Sequence, residues 1–195
     1  MGIVGTGFST SLDGFIARPD GDVGPLFAWY FGGDTAIVYP GGRVTINVSA
    51  PSAGVIREMM QTTGALVVGR RHFDETGGWG GRHPANVPVF VVTHTIPKGW
   101  ANDGAPFTFV TDGVESAIAQ ARAVAGNKNV GIGGANVAQQ AIRAGLVDEI
   151  AIDLVPVLLG AGRSFFGELG MEIALERIRA IAAPGVTHLR YRVTR

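Results

Sequence analysis

A glycine-rich turn is the first candidate for chemistry in this chain of 195 residues. Gly131, Gly133 and Gly134 lie between a short apolar segment and residues 135–145, which have the pattern of a helix. Free N–H groups at a helix start favour an anion, and glycine allows a phosphate to approach the backbone. The spacing differs from the dinucleotide fingerprint G-x-G-x-x-G, because Asn136 occupies the place of the third glycine. From spacing alone, a simple strand-to-helix turn is at least as well supported as a phosphate site.

Two adjacent arginines mark a second place of the same kind. In the segment VVGRRHF, residues 67–73, one glycine separates an apolar strand from Arg70 and Arg71. Paired guanidinium groups suit a phosphate, although surface pairing with Asp74 and Glu75 would also explain them. Because two strand ends carry glycine and one adds paired arginines, the sequence favours a phosphorylated nucleotide as the ligand.

A third strand end offers hydroxyl groups and a histidine. Thr93, His94 and Thr95 follow the apolar residues 89–92. A lone histidine is more often structural than functional, but beside a phosphate His94 is able to donate a hydrogen bond. The third strand end is therefore compatible with the nucleotide hypothesis without requiring it.

The elements that position these groups alternate between strands and helices. We predict a helix from Pro51 to Gly64, a helix from Asp112 to Ala125 that opens with a capping box of Asp112 and Glu115, and a helix over residues 135–145. Strands are predicted at residues 3–8, 65–69, 87–93, 107–111 and 128–132, at 149–160 with a bulge or edge at Pro156, and twice within 172–195. This order implies an α/β fold with a largely parallel sheet and an antiparallel C-terminal edge. We expect one domain over residues 1–195, with an irregular insertion at about 18–48.

Composition excludes several classes of partner and site. The formal net charge is zero, which gives no general attraction to nucleic acid or to an anionic membrane. The absence of cysteine excludes disulfides and thiolate metal sites, and we predict no metal. We expect a cytoplasmic protein that acts on a small molecule.

Two loops supply weaker candidates for contacts to a substrate. Asp13 and Ser11 lie in the stretch SLDG, where Asp13 either orients a substrate or shapes a turn before Gly14. Trp79 lies in a glycine-rich loop, where it either closes over a ligand or anchors the surface. We predict Ser11, Asp13 and Trp79 as substrate residues.

Four stretches, in order, resemble the signatures of the dihydrofolate reductase-like superfamily. They are similar to its branch named after the reductase domain of bifunctional riboflavin-biosynthesis deaminase–reductases. They run from about Ser9 to Phe166 and read STSLDGFIA, VVGRRHFDE, FVVTHTIP and GIGGANVAQQAIRAGLVDEIAIDLVPVLLGAGRSFF. The part LVDEI to PVLLGAG is the most specific to this branch. The resemblance implies a three-layer fold with a mixed sheet of about eight strands flanked by helices, and NADPH across the carboxyl ends of the strands.

The resemblance also implies which residues contact the cofactor. The loop that holds the adenosine 2′-phosphate and part of the pyrophosphate corresponds to Gly69, Arg70, Arg71 and His72. The neighbouring 2′-phosphate turn corresponds to Thr93 and His94. The glycine turn under the pyrophosphate and the nicotinamide side corresponds to Gly133, Gly134, Ala135, Asn136 and Val137. The mobile segment that covers the nicotinamide corresponds to Ile16 and Ala17.

The sequence departs from its relatives in two places. Dihydrofolate reductases carry an acidic residue on the first helix, whereas the corresponding place here falls near Ser52 and Ala53, and the helix's only acid, Glu58, lies further along. The deaminase half of the riboflavin enzyme needs a Pro-Cys-x-x-Cys zinc motif, which a chain without cysteine lacks. The first departure argues against true dihydrofolate reductase activity, and the second argues for a stand-alone reductase domain.

We therefore predict an NADPH-dependent reductase that transfers hydride to a C=N, C=O or activated C=C of a small polar substrate. The resemblance points to 5-amino-6-(5-phosphoribosylamino)uracil, whose phosphate would need a second basic patch, for which Arg18, Arg43 and Arg82 are the candidates. Asp13 or an ordered water is the predicted proton donor, and the branch resembled implies a homodimer. The alternatives are a dihydrofolate, pterin or specialised-metabolism reductase, and a nucleotide-binding protein without catalysis.

Overall fold

An eight-stranded mixed sheet forms the centre of the protein, in a computed structural model that describes residues 2–100 and 106–194. The strand order is β11-β12-β9-β1-β8-β5-β6-β7. The strands are β1 Val4–Thr10, β5 Thr63–Gly69, β6 Val89–Val92, β7 Phe107–Val110, β8 Asn129–Gly133, β9 Glu149–Leu154, β11 Leu175–Ala183 and β12 Val186–Val193. The six strands from β9 to β7 are parallel, and β12 joins β9 antiparallel. The predicted α/β fold with an antiparallel C-terminal edge is confirmed.

Two small sheets lie outside the large one. A short antiparallel pair joins β2, Phe15–Ala17, to β10, Arg163–Ser164. A hairpin joins β3, Thr35–Val38, to β4, Thr45–Val48, within the segment predicted to be irregular. A 3-10 helix at Gly24–Tyr30 precedes this hairpin and buries Leu26 and Trp29. The segment at 18–48 is thus a folded layer over one face of the sheet.

Helices cover both faces of the sheet. The helices are α1 Ala50–Thr62, α2 Arg70–Glu75, α3 Val114–Ala125 and α4 Ala135–Arg143. Helices α3 and α4 bury apolar residues such as Ala117 and Ala141 against one face, together with Val67 and Val130 of the sheet. Helix α2 lies on the opposite face, because Val68 packs with the α2 residue Phe73 while Val67 packs with α3 and α4. Helix α1 lies on that face too, because its Ser52 reaches Asp153 through His188, and Asp153 points away from the neighbouring core residue Ile152. This arrangement is the predicted three-layer order.

The start of α3 differs from the prediction. The helix begins at Val114, and its N-cap is Gly113 with φ 105°, without a side-chain hydrogen bond to the cap. Asp112 therefore lies one residue too early to cap the helix, and Glu115 is not at the third position of the first turn. The predicted capping box is wrong.

The predicted strand over residues 149–160 is also wrong in length. Strand β9 ends at Leu154, and the N–H of Val157 donates to the carbonyl of Val155 (2.8 Å) in a tight turn around Pro156. Proline lacks the N–H that a continuing sheet would need, so the chain turns here instead of forming a bulge. None of the helices in the described parts of the chain has the length and apolar character needed to cross a membrane.

Candidate functional site

Two helix starts meet at neighbouring strand ends. Strands β5 and β8 are parallel partners, with Val68 in register with Gly133, so α2 and α4 begin side by side after Gly69 and Gly134. A β-carbon added at Gly134 would lie only 3.5 Å from the Gly69 nitrogen, and Gly134 has φ 93°, which favours glycine. Neither helix start is capped by a side chain of the described residues. Their first N–H groups are therefore available to an anion.

The first turn of α4 presents its backbone to this edge. Val137 is buried, and a β-carbon at Gly69 would lie 3.1 Å from its Cγ2. The amide oxygen of the exposed Asn136 accepts a hydrogen bond from Gln140 (2.6 Å). Val137 is thus part of the core, and its side chain packs α4 against β5. The backbone N–H groups of Ala135, Asn136 and Val137 form the first turn of α4 at this edge.

Arg70 connects two strand ends. Its Nε donates to the carboxylate of Asp74 (2.8 Å), and its Nη1 donates to the carbonyl of Thr95 (2.9 Å) and lies 3.4 Å from Thr93 Oγ1. Thr93 is buried, and its hydroxyl donates to the same Thr95 carbonyl (2.8 Å). Arg70 is therefore oriented along the edge between β5 and β6. His94, which follows Thr93 in the sequence, is exposed.

Arg71 reaches into solvent. Its side chain is 73% exposed and pairs with Glu75 (3.0 Å), which also accepts a hydrogen bond from Arg163 (2.8 Å). The surface pairing that the sequence offered as an alternative thus exists for both arginines. Exposed pairs of this kind contribute about 0.3–0.5 kcal/mol, so Arg71 is able to exchange Glu75 for a phosphate at little cost.

His72 lies beneath the glycine turn. A β-carbon at Gly133 would lie 3.8 Å from its Nε2, and the indole of Trp79 packs against the imidazole with ring centres 5.6 Å apart. Burial lowers the pKa of His72, although nearby Glu75 acts in the opposite direction. Burial, and next the charge of His72, lower the pKa of His83 to about 4. Both shifts favour the neutral form of the imidazole.

Trp79 belongs to an unusual turn of left-handed backbone. Gly77, Gly78, Trp79 and Gly80 all have φ between 51° and 63°, which only glycine adopts without cost. The indole packs on His83 (4.6 Å) and Phe107 (6.2 Å) and is half-buried. These contacts favour the anchoring role that the sequence left open.

Hydrogen bonds within the SLDG loop, and between this loop and residues 159–160, hold the loop in place. Ser11 is buried, and its hydroxyl accepts from the N–H of Phe15 (3.0 Å). The carboxylate of Asp13 accepts from the N–H groups of Leu159 (3.1 Å) and Gly160 (2.7 Å). A hydrogen bond with Ser11 and these backbone donors lower the pKa of Asp13. This geometry favours a clamp between two loops, while the predicted role of Asp13 as proton donor stays a prediction.

Ile16 and Ala17 are packed in this structure. Both belong to β2, where Ala17 is buried and in register with Arg163 of β10, and Ile16 packs against the large core. The carbonyl of Phe165, just after β10, accepts a hydrogen bond from Gln139 of α4 (2.8 Å). The segment predicted to cover the nicotinamide is thus connected to the helix that follows the glycine turn.

The three arginines considered for a second phosphate each have a local partner. Arg18 pairs with Asp22, Arg82 with Asn86 (2.9 Å), and Arg43 donates to the carbonyl of Gly80 (3.4 Å). These contacts do not bring the three arginines together into one patch.

A polar cluster that the sequence did not reveal lies between α1 and the sheet. Ser52 and His188 are buried and hydrogen-bonded (2.8 Å), and His188 also contacts Asp153 (2.6 Å). Further along α1, Glu58 accepts hydrogen bonds from Arg179 and Arg190 (both 2.8 Å). Hydrogen bonds from Arg179 lower the pKa of Glu58 to about 2, so this acid is an ionised structural partner.

Comparisons with known proteins agree with this architecture. The family model for the RibD C-terminal domain matches residues 4–187. A solved protein described as a riboflavin biosynthesis protein, from Shewanella sp. PV-4, is 25% identical, with a TM-score of 0.74 over 99% of both chains. No curated protein matches the sequence.

Two more distant structures share the fold. The dihydrofolate reductase of Enterococcus faecalis, complexed with NADP(H), is 17% identical and has a TM-score of 0.61 over 99% of this chain and 97% of its own. The deaminase/5-amino-6-(5-phosphoribosylamino)uracil reductase of Thermotoga maritima is 14% identical, with a TM-score of 0.63. The match covers 99% of this chain but 57% of the Thermotoga protein. The chain thus has a dihydrofolate reductase-like fold.

Proposed function

Since the chain belongs to the RibD C-terminal domain family, we propose that it is an NADPH-dependent reductase of a small polar substrate. The observation that carries this proposal is the pair of uncapped helix starts at Gly69 and Gly134, with Arg70 beside them at the end of β5. Backbone N–H groups from two helices and a guanidinium at one edge suit a ligand with several phosphates. The Enterococcus protein of the same fold is complexed with NADP(H).

The residues present fit NADPH. The extra 2′-phosphate of NADPH is a dianion, and we propose that Arg70 and the Thr93 hydroxyl, which lie together at the ends of β5 and β6, receive it with the solvent-exposed Arg71 that follows Arg70. The glycine turn and the first N–H groups of α4 would hold the pyrophosphate. When bound, NADPH supplies the hydride, and the protein binds, orients and excludes water.

We propose a C=N, C=O or activated C=C acceptor, as in the uracil reductase activity that the Thermotoga protein is named for. Dihydrofolate is a weaker candidate, because the only acid of α1, Glu58, is held by Arg179 and Arg190. The substrate roles of Ser11, Asp13 and Trp79, the homodimer, the single domain and the cytoplasmic location stay predictions.

Calorimetry with NADPH and NADH tests the cofactor. We expect NADPH to bind at least tenfold more tightly than NADH, because the 2′-phosphate adds at least one charge-assisted hydrogen bond of about 1.5–3 kcal/mol. Equal affinities for NADPH and NADH would contradict the assignment of Arg70 and Arg71 to the 2′-phosphate. Oxidation of NADPH with 5-amino-6-(5-phosphoribosylamino)uracil and with dihydrofolate then separates the substrates, and tight binding of NADPH without oxidation would indicate a nucleotide-binding protein.

A further inference from the structure

A chain of four polar groups runs through the contact between α1 and the sheet. Ser49 Oγ lies 3.1 Å from Ser52 Oγ, Ser52 Oγ lies 2.8 Å from His188 Nε2, and His188 Nδ1 lies 2.6 Å from Asp153 Oδ1. We refer to Ser49, Ser52, His188 and Asp153 as the polar chain. Its two middle members are 1% and 4% exposed, whereas Ser49 is half-buried and the side chain of Asp153 is 25% exposed. The polar chain is therefore closed in the middle and open at both ends.

Asp153 lies at the same edge of the sheet as the proposed cofactor site. It is in register with Ser9 of β1 on one side and with His188 of β12 on the other. The indole N–H of Trp29 donates to Ser9 (3.1 Å), and its ring packs edge-on against His188. Since β1 alone separates β9 from β8, Asp153 is two strands, or roughly 10 Å, across from the glycine turn.

The hydrogen bonds of the polar chain have a consistent direction. With the Nδ1–H tautomer of His188, the Ser49 hydroxyl donates to Ser52, Ser52 donates to Nε2 of the imidazole, and Nδ1–H donates to Asp153. Every member between the ends then accepts one hydrogen and donates one. A shift of one proton along each bond would move a proton from Ser49 to Asp153 without leaving a buried charge in the middle.

The other ionisable groups around Asp153 are not competing acids. Burial raises the pKa of Tyr30 and of Tyr39, and the charge of Asp153 raises both further. Arg179 and Arg190 border Asp153 and His188 in a cavity of about 20 Å³, large enough for one water, and both arginines bind Glu58. Asp153 is thus the carboxylate at the open end of the chain.

The order Ser52–His188–Asp153 also resembles a nucleophilic triad, but acyl transfer does not fit. A nucleophilic serine must meet a carbonyl carbon, and Ser52, on the buried face of α1, is 1% exposed. The member of the three that reaches solvent is the aspartate. The direction of the chain therefore suits delivery of a proton and not attack on a carbonyl.

We propose that the polar chain is a proton relay that ends at Asp153 and supplies the proton consumed by the reductase reaction. The inference rests on the function proposed above. Addition of hydride to the carbon of a C=N or C=O group moves the π electron pair to the nitrogen or oxygen, which then binds one proton. Because Asp153 accepts the Nδ1–H bond at rest, the relay acts first: His188 Nδ1 passes its proton to Asp153, Ser52 passes one to His188 Nε2, Ser49 passes one to Ser52, and Ser49 takes up a proton from solvent. Asp153, now a neutral acid, gives its proton to the nitrogen or oxygen of the substrate and returns to the carboxylate. Asp153 is the group that would contact the substrate, and Ser52 and His188 position it.

The state of His188 tests the relay without turnover. We expect the NMR spectrum of the protein alone to show a slowly exchanging proton on Nδ1 of His188, hydrogen-bonded to Asp153, and a hydrogen-bond acceptor at Nε2. In D153N the Nδ1 proton should move upfield and exchange faster. A proton on Nε2 alone at neutral pH would overturn the proposal, because the chain would then lead away from Asp153.

Kinetics with NADPH and 5-amino-6-(5-phosphoribosylamino)uracil or dihydrofolate, whichever the wild type reduces, test the relay in use. We expect D153N to lower kcat by about 10²–10⁴-fold, the range of general acid catalysis, with the Kd of NADPH unchanged. We expect S52A to lower kcat roughly 10-fold, as loss of a partner that orients a reacting group does. S52A should also change the solvent isotope effect on kcat, and S52T should restore both. S116A, which removes a half-buried serine of α3, is the matched control and should change neither.

The outcomes separate this inference from the proposed function. Loss of reduction in D153N with intact NADPH binding supports the relay. Full activity of D153N, or a solvent isotope effect in S52A equal to that of the wild type, overturns the relay and leaves the reductase assignment standing. Failure of the wild type to bind NADPH or to reduce either substrate overturns the reductase assignment and the relay with it. H188Q provides a second variant if S52A does not fold.

Discussion

Helices α1 and α2 lie on the same face of the sheet but are held there by different forces. Around α2, Phe73 is 1% exposed and packs edge-on against the rings of Trp100, Phe107 and Phe109. Under α1, by contrast, Glu58 binds two arginines, and the polar chain joins the helix to β9 and β12. The contacts of Phe73 in α2 are apolar, whereas α1 adds these polar contacts to the apolar packing of Ala53 and Ile56.

The difference matches the proposed roles of the two helices, α2 at the cofactor site and α1 above the polar chain. Apolar packing holds α2 rigidly and leaves the backbone N–H groups at its start for the cofactor. Hydrogen-bonded groups under α1 are able to move protons, which apolar packing cannot do. The contacts of α1 and those of α2 should therefore differ in their sensitivity to pH and to cavity-forming substitutions.

The largest loss of stability is expected on the apolar side. F73A should reduce the free energy of unfolding by about 3–5 kcal/mol, because the surrounding rings cannot collapse onto the space of a lost phenyl group. Urea unfolding of wild type and variant measures this. F31A removes a ring that is 69% exposed and should change stability by less than about 0.5 kcal/mol. Equal effects of the two variants would mean that the aromatic cluster does not hold α2.

A smaller and pH-dependent loss is expected on the polar side. The pKa of Glu58 is about 2 in the folded protein, below its ordinary value of 4.5, so its contribution is fully present above pH 4.5 and is lost as the pH falls towards 2. Since the side chain is 38% exposed, we expect E58Q to cost about 1–2 kcal/mol at neutral pH. Unfolding curves from neutral pH downward should converge for wild type and E58Q. E176Q, which breaks the exposed pair with Arg192, should cost about 0.5 kcal/mol or less, and a constant difference between wild type and E58Q across the pH range would contradict the account.

The smallest change in the free energy of unfolding is expected at two glycines, one within α1 and one at the start of β5. A β-carbon at Gly54 meets no atom within 4 Å, so G54A should raise stability by about 0.5–1 kcal/mol through helix propensity. At Gly64 a β-carbon would lie 2.7 Å from the Lys128 side chain, so G64A should lower stability. Thermal unfolding of both variants measures the contrast. A loss of stability in G54A would show that α1 depends on close contacts at this face.

The parts of the site that were predictable are contiguous in sequence. Gly69 with Arg70, and Gly133 with Gly134, stand between an apolar strand and a helical pattern, and the positive φ of Gly134 explains one of these glycines directly. The predicted order of strands and helices is local information of the same kind. The fold, and the strand ends proposed to bind the cofactor, could therefore be inferred from short stretches.

The parts that were not predictable depend on distant residues. Ser52 and His188 are 136 positions apart, and each is a common residue in an unremarkable setting. Only the sheet order, with β12 beside β9, brings His188 to Asp153 and under α1. The capping box at Asp112 failed for a smaller reason, because a shift of one residue decides which side chain caps a helix.

The central claim is that Arg70 and Arg71 bind the 2′-phosphate of NADPH. Calorimetry of an Arg70→Ala, Arg71→Ala double variant tests it most directly. We expect the Kd for NADPH to rise roughly 100-fold or more, and the Kd for NADH to change little, because two charge-assisted contacts to the 2′-phosphate are lost. R192A removes one positive charge at the opposite end of the sheet and should leave both affinities unchanged. An unchanged Kd for NADPH in the double variant would contradict the account.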